Sequence, residues 1–192
     1  MNSATHPMGS NLNLPNAITL LRLLAVPGIA WLLETGRHGP AFWLFLAAAL
    51  SDGIDGFLAR RYGWTTPLGA LLDTLTDKAL GITTLLLLTW QDLIPWWVAG
   101  AIILRDAVIV LGALAYRSLA GHLDIQPTWL GKTNTFLEFA LLCVVLAQAA
   151  LLLPLGSLVK LLFLVVFTTT VGSGLHYVVV WSRRYRRERL PR

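Results

Sequence analysis

The stretch SDGIDGFLARRYGWTTPLGALLDTLTDKAL, residues 51–80, decides how this chain is organised. It places four aspartates, Asp52, Asp55, Asp73 and Asp77, within two segments that are otherwise apolar enough to be membrane helix. A carboxylate inside a membrane segment is costly and marks a functional site by default. The four aspartates are therefore the residues from which the function of the chain has to be inferred.

The composition is that of an integral membrane protein. Of 192 residues, 56% are hydrophobic and only 13% are charged, and the mean hydropathy is +0.66. A soluble domain is about a quarter charged. We therefore expect a single transmembrane domain over residues 1–192, with a short polar N-terminal tail (about 1–14) and a basic C-terminal tail (about 182–192). The lone Cys143 excludes a disulfide framework or a cysteine metal site within one chain.

Six apolar segments can be laid out along the chain, at residues 16–34, 40–60, 67–90, 95–117, 129–153 and 157–181. They lack period-2 alternation, and only helices or closed barrels satisfy their backbone hydrogen bonds in lipid. The expected fold is therefore all-α, an integral membrane bundle of about six transmembrane helices.

The basic residues lie on one side of this predicted bundle. Arg60 and Arg61 lie between segments two and three, Arg117 and Lys132 flank the loop between four and five, and six arginines follow segment six. Cytoplasmic loops carry such an excess. We expect a multi-pass protein of a bacterial-type inner (cytoplasmic) membrane, with both termini and the 60–67 loop in the cytoplasm. The basic tail indicates contact with anionic lipid headgroups rather than with nucleic acid.

Spacing places the aspartates on two helix faces. Asp52 and Asp55 are three residues apart, and Asp73 and Asp77 are four apart, so each pair shares a face. A short turn joins the two segments, so we expect these helices to be neighbours and their carboxylates to converge.

Four converging carboxylates need positive charge, because desolvation and mutual repulsion would otherwise neutralise most of them. A ligand set made only of oxygens favours Mg²⁺ or Mn²⁺ over zinc. Two such ions bridged by carboxylates is an arrangement that stabilises phosphoryl displacement. We therefore predict a two-metal site held by Asp52, Asp55, Asp73 and Asp77.

Small residues beside the aspartates leave room for a ligand. Gly56 and Ala59 project near the first aspartate pair, and Gly69 lies one turn before Asp73. Arg60 stands one turn beyond Gly56, where its guanidinium can form paired hydrogen bonds with a phosphate. Carboxylates, space and an arginine indicate a metal-bound nucleotide or diphosphate substrate.

This pattern resembles the signature of the CDP-alcohol phosphotransferase family. The matching residues are Asp52-Gly-Ile-Asp55-Gly56-Phe-Leu-Ala59-Arg60, then Gly69, Asp73 and Asp77 at the defined spacings. The resemblance implies a phosphatidyltransferase that takes CDP-diacylglycerol at the cytoplasmic side of the membrane and forms a homodimer.

The resemblance also implies a role for each matching residue. The implied metal ligands are Asp52, Asp55 and Asp73. The residues implied to line the CDP and diphosphate site are Gly56, Arg60 and Gly69. Asp77 is implied to be the general base, in contact with a metal as well. It would accept the proton of the acceptor hydroxyl, whose oxygen attacks the β-phosphorus while CMP leaves.

The first segment resembles two branches of the family through its Pro-Asn-x-x-Thr-x-x-Arg opening, here Pro15-Asn16 to Thr19 and Arg22. One branch makes phosphatidylglycerophosphate from glycerol 3-phosphate, and the other makes cardiolipin from phosphatidylglycerol. Asn16 fits a helix N-cap as well as a donor contact. Arg22 is costly in a membrane segment, so we expect it to be functional or paired.

The second half of the chain is more similar to the mitochondrial-type cardiolipin synthase branch. The similar stretches are residues 92–95, 104–106, 126–135 and 167–170. We therefore expect phosphatidylglycerol as the acceptor, with glycerol 3-phosphate as the alternative. Glu138 departs from both branches, which usually have glutamine there. Its carboxylate would repel an anionic headgroup unless Lys132 or Arg105 pairs with it.

Expectations also follow for Arg105, Lys132 and His176. Arg105 is expected to face the cavity and bind the acceptor phosphate, with an interhelical salt bridge as the alternative. Adjacent helix residues point about 100° apart, so Arg105 is not expected to pair simply with Asp106. Lys132 fits a phosphate contact or a side chain that reaches the membrane interface. His176 is expected to be buried in segment six with a structural hydrogen bond.

Two other classes of protein remain possible at this point. A cation channel or transporter also places carboxylates inside the membrane. Such a path has no need of Arg60 or of glycines at fixed spacing. A non-catalytic scaffold would gain nothing from keeping four buried carboxylates.

Overall fold

The computed structural model describes residues 14–62, 67–120 and 128–189, without the side chains of 14–18, 52–62, 67–68, 70–71, 115–120 and 183–189. Six helices make up this part of the chain: α1 (Leu14–Glu34), α2 (His38–Tyr62), α3 (Pro67–Trp90), α4 (Trp96–Ala120), α5 (Trp129–Leu151) and α6 (Gly156–Arg189). The described residues contain no strand. The all-α prediction is confirmed.

The helix bounds follow the apolar segments closely, with one large difference. The predicted sixth segment ends at residue 181, whereas α6 continues to Arg189 through most of the basic tail. Arginine is a good helix former, so this basic run can extend the helix without apolar packing. Among the described residues, three stretches are long and apolar enough to cross a membrane: Trp96–Leu114, Trp129–Leu151 and Gly156–Ser182.

The helices form a closed ring in the order α3–α1–α2–α5–α6–α4. Looser contacts between α4 and α3 close the ring, and α3 also contacts α5. The described parts of α2 and α3 pack on α1, which lies beside both, and they face a common cavity instead of packing directly on each other. The ring therefore gathers the aspartate-bearing helices around a space.

Large apolar side chains fill the interior beside that space, and two of them, Phe139 and Leu141, also line it. Phe45 of α2 stacks on Phe139 of α5 with ring centroids 5.9 Å apart. Ile29, Leu88 and Leu141 are fully buried nearby in the same core. Many leucines and valines on the outer faces are exposed, as expected where lipid rather than water surrounds the helices.

The turns at one end of the bundle are joined by side-chain hydrogen bonds. His38 Nε2 and Gln91 Oε1 are 2.9 Å apart, and Gln91 Nε2 donates to the Leu33 carbonyl at 2.7 Å. The α1–α2 turn holds Gly36 at φ 71°, a left-handed conformation that glycine adopts without steric cost. The α3–α4 turn is thereby tied to the α1–α2 turn.

His176 is exposed, so its predicted burial was wrong. The packed face of α6 runs through Val166, Thr170, Ser173 and Tyr177, which follow the three-to-four-residue period of a helix. His176 directly precedes Tyr177 and so points about 100° away from that face. A uniformly apolar segment gave no sign of which face would be packed.

Candidate active site

Arg22 joins the two aspartates of α3. Its Nη1 donates to Asp73 Oδ1 at 2.9 Å and to Asp77 Oδ1 at 2.8 Å. The Arg22 side chain is fully buried, while the Asp73 and Asp77 side chains remain 38% and 30% exposed. The expectation that Arg22 is paired is confirmed. Asp73 and Asp77 also share one helix face, as their spacing predicts.

The other predicted metal-binding and donor-binding residues lie at the start of α1, toward the end of α2 and at the start of α3. Those whose side chains are outside the described part of the structure are Asn16, Asp52, Asp55, Gly56 and Arg60. Gly69 is half-buried in the first turn of α3. The meeting of the two aspartate pairs therefore stays a prediction.

The described half of the carboxylate set fits a hard divalent cation. Asp73 and Asp77 offer only oxygen donors, and both reach the same guanidinium nitrogen, so their carboxylates are close together. The site already holds one positive charge between them. No group of three His, Cys, Asp or Glu side chains forms a metal site within the described residues alone.

A cavity of about 720 Å³ lies between α2, α3, α4 and α5. Among the described residues, the charged side chains that line it are Asp77 and Lys78 of α3, Asp106 of α4 and Glu138 of α5. Most of the remaining wall is leucine, isoleucine, phenylalanine and alanine. The cavity can hold apolar chains while placing a carboxylate, Asp77, beside them.

Three charged side chains, those of Lys78, Arg105 and Asp106, form a network of ion pairs at the α4 side of the cavity. Lys78 forms an ion pair with Asp106, and Arg105 Nη1 donates to the other oxygen of Asp106 at 2.8 Å. The prediction that Arg105 and Asp106 do not pair was wrong. The long arginine side chain bends back across the angle that separates neighbouring helix positions.

The Arg105 guanidinium is buried among α4, α5 and α6. Its Nη2 donates to Ser173 Oγ at 3.2 Å and lies 3.5 Å from the Gly131 carbonyl oxygen. Arg105 is absent from the described lining of the cavity. Arg105 thus has structural contacts, but its ion pair lies within α4 and its contacts with α5 and α6 are neutral hydrogen bonds, so they are not the interhelical salt bridge given as the alternative. Lys132, the other predicted acceptor residue, is exposed on the first turn of α5.

Glu138 belongs to a polar cluster that the sequence did not reveal. Asn134 Nδ2 donates to Glu138 Oε1, and Asn134 Oδ1 accepts hydrogen bonds from Thr169 and Thr170. The expected ion-pair partners, Lys132 and Arg105, form no hydrogen bond with Glu138 in the described structure. The four-residue spacing of Asn134 and Glu138 was the available signal, since such positions share a helix face.

Comparison with known proteins gives a family. The family model of CDP-alcohol phosphatidyltransferases matches residues 12–180. A cardiolipin synthase (CMP-forming)/mitochondrial hydrolase fusion protein of Schizosaccharomyces pombe is 31% identical over 90% of this chain and 32% of its own length. A probable phosphatidylglycerophosphate synthase of Mycobacterium tuberculosis is 34% identical over 86% of this chain and 80% of its own.

A third relative is the cardiolipin synthase (CMP-forming) of Streptomyces coelicolor, which is 35% identical over 65% of this chain and 60% of its own length. The chain thus spans about a third of the fission yeast protein and three fifths of the Streptomyces protein. The relatives carry the names of two enzymes, cardiolipin synthase and phosphatidylglycerophosphate synthase.

Proposed function

The chain belongs to the CDP-alcohol phosphatidyltransferase family, and on this basis we propose that it transfers a phosphatidyl group from CDP-diacylglycerol to the hydroxyl of phosphatidylglycerol, giving cardiolipin and CMP. The observation that carries the proposal is the position of Asp77, whose carboxylate lines a large and mainly apolar cavity. Family membership makes the chain an enzyme, which removes the channel and scaffold hypotheses as leading explanations.

Asp77 is proposed as the general base. It accepts the proton of the acceptor hydroxyl as the hydroxyl oxygen forms a bond to the β-phosphorus of the donor. The bond between that phosphorus and the bridging oxygen breaks, and CMP leaves with this oxygen. A positioned base of this kind contributes roughly 10²- to 10⁴-fold to a rate.

Arg22 is proposed to position this base. It contacts Asp77 and Asp73 through one nitrogen, so the two carboxylates keep a fixed relation to each other. A base has to lie within hydrogen-bond reach of the proton that it takes, and small displacements are costly in rate. The Arg22 side of this contact is fully buried, so water does not compete for its guanidinium.

The family generally uses divalent metal ions, and we propose Mg²⁺ or Mn²⁺ at two sites held by Asp52, Asp55, Asp73 and Asp77. When bound, these ions supply positive charge that offsets the charge developing on the donor diphosphate. The described ligands, Asp73 and Asp77, have the oxygen donors that such ions prefer.

The remaining binding roles are proposals of the same kind. The proposed CDP and diphosphate contacts are Asn16, Gly56, Arg60 and Gly69. Lys132 is exposed and free to contact the acceptor phosphate. Arg105 would first have to leave Asp106 and Ser173, so a structural role suits it better.

The cavity charges support phosphatidylglycerol over glycerol 3-phosphate. Among the described lining residues, three carry a carboxylate, Asp77, Asp106 and Glu138, and one carries an ammonium, Lys78. Glycerol 3-phosphate carries a doubly charged phosphate monoester, whereas phosphatidylglycerol carries one charge, so repulsion is smaller for the lipid. Glycerol 3-phosphate stays the second candidate, because the Mycobacterium tuberculosis relative is named a probable phosphatidylglycerophosphate synthase.

We place the reaction at the cytoplasmic face of the membrane, with both termini on that side, as the distribution of basic residues favours. The homodimer is proposed from family resemblance alone.

The reaction itself is tested by following CMP release from CDP-diacylglycerol by the purified full chain in mixed micelles. We expect release that requires an acceptor lipid and a divalent cation and that stops when the cation is chelated. Release that is unaffected by chelation would contradict the metal proposal. Cation flux through proteoliposomes without any CMP release would instead support an ion path.

A further inference from the structure

Glu138 is a buried carboxylate in the middle of an apolar helix. The residue is 8% exposed, and it lines the same cavity as Asp77. A buried carboxylate is costly unless hydrogen bonds or opposite charges surround it. Asn134 is its single hydrogen-bond partner among the described residues. A carboxylate can accept about four hydrogen bonds, so Glu138 keeps capacity for a ligand in the cavity.

The surrounding helices hold this carboxylate in one orientation. Thr169 and Thr170 of α6 donate to Asn134 Oδ1 at 2.8 and 3.0 Å. The amide oxygen of Asn134 is thereby committed to α6, and its Nδ2 is directed to Glu138 Oε1. Two threonines, one asparagine and one glutamate thus form a fixed chain of hydrogen bonds from α6 to the cavity wall.

The chemistry of the Glu138 carboxylate determines which ligand groups it can bind. A carboxylate repels a phosphate but accepts a short, charge-assisted hydrogen bond from a neutral hydroxyl. Asp77, in the same cavity, is the proposed acceptor of the reacting hydroxyl's proton. Two carboxylates in one cavity suit an acceptor that offers two neighbouring hydroxyls, as the glycerol unit of phosphatidylglycerol or of glycerol 3-phosphate does.

We propose that Glu138 recognises the non-reacting hydroxyl of the acceptor's glycerol unit, and that Asn134, Thr169 and Thr170 position it for this contact. The inference rests on the proposed function, because it assigns a second contact in the acceptor site of that reaction. Glu138 is therefore a specificity residue that favours a vicinal diol over an alcohol with one hydroxyl.

The test compares acceptors that differ by this hydroxyl alone. Phosphatidylglycerol is matched with the lipid whose headgroup is 3-hydroxypropyl, and glycerol 3-phosphate with 3-hydroxypropyl phosphate. For the wild type, kcat/KM is expected to fall about 10- to 100-fold when the hydroxyl is absent, as for the loss of a hydrogen bond to a charged group. In Glu138→Ala this ratio is expected to drop below about threefold.

Two further variants make the outcome decisive. Glu138→Gln keeps the shape and presents an amide NH₂ to the cavity, because Asn134 occupies its oxygen, so an intermediate ratio is expected even where Glu138→Ala does not fold. Thr135→Val removes another cavity-lining hydroxyl one turn away and is expected to keep the wild-type ratio. Equal ratios in wild type and both Glu138 variants would overturn the inference while leaving the transferase proposal intact. No transfer to any acceptor would overturn both.

Discussion

Arg22 Nη1 lies 2.8 Å from Asp77 Oδ1, which joins the first helix to the third across 55 positions of the chain. The same nitrogen contacts Asp73 Oδ1 at 2.9 Å. An arginine in a membrane helix would be costly by itself, and two carboxylates one turn apart would repel each other. The ion pairs between Arg22 and the two carboxylates offset both costs. They hold the two carboxylates in a fixed position beside the cavity.

Replacement of Arg22 should reduce catalysis more than donor binding. Arg22→Gln leaves Asp73 and Asp77 without their shared cation, so their relative position is lost. We expect kcat to fall at least about tenfold, while the KM for CDP-diacylglycerol changes less than about threefold. Arg22→Lys keeps the charge without the planar fork and should lie between wild type and Arg22→Gln. An unchanged kcat in Arg22→Gln would show that Arg22 has only a structural role.

Asp77→Asn should strongly reduce turnover and leave the fold intact. The amide has nearly the same shape but does not accept a proton at neutral pH, so kcat should drop roughly 10²- to 10⁴-fold. The matched control is Asp92→Asn in the exposed α3–α4 turn, where φ is 59° and asparagine is well tolerated. Rates of acceptor-dependent CMP release are measured for both. Undiminished turnover in Asp77→Asn would remove the base assignment.

The two bonds to Asp106 should differ in their contribution to stability. Lys78 is 42% exposed and Asp106 only 14%, so Lys78→Gln should lower the unfolding free energy by at most about 1 kcal/mol. Asp106→Asn leaves the buried Arg105 short of its charged partner and should cost about 1–3 kcal/mol. Thermal unfolding in detergent ranks the two variants. A larger loss in Lys78→Gln than in Asp106→Asn would contradict the arrangement.

Gly112 should be intolerant of even a methyl group. A Cβ at this position would lie 1.4 Å from Cζ3 of Trp181, so α4 and α6 would have to separate or the indole would have to move. We expect Gly112→Ala to lower the unfolding free energy by about 1–3 kcal/mol. Gly100→Ala in the same helix meets nothing within 4 Å and should be neutral or slightly stabilising. Equal Tm values for both variants would show that the Trp181 contact is not maintained.

The fold was largely predictable, because each membrane helix requires a run of about 20 apolar residues that can be recognised in the sequence. The predicted third segment, 67–90, has the same bounds as α3, and the start of the fifth, at Trp129, is also that of α5. The end of α6 was missed because the segment was bounded by its apolar residues. The helix continues beyond them through the arginine-rich residues up to Arg189.

Helical spacing predicted which site residues share a face. It did not predict the hydrogen-bond and ion-pair partners of the site side chains. Asp73 and Asp77 lie four apart on α3 and do share a face, as spacing requires. The partner of Asp106 could not be deduced, because the reach and bending of a long arginine side chain are not visible in helical angles. The chain from Thr169 through Asn134 to Glu138 was missed for a related reason. It joins α6 to α5, and only the ring order of the helices brings those faces together.

The central claim is tested most directly by a competition between the two acceptors. The purified full chain receives CDP-diacylglycerol and Mg²⁺ with equal concentrations of phosphatidylglycerol and glycerol 3-phosphate, and mass spectrometry identifies the product lipids. The account predicts cardiolipin formed in step with CMP, and neither product with Asp77→Asn. Phosphatidylglycerophosphate as the main product would contradict the acceptor, and no CMP release with either acceptor would contradict the reaction.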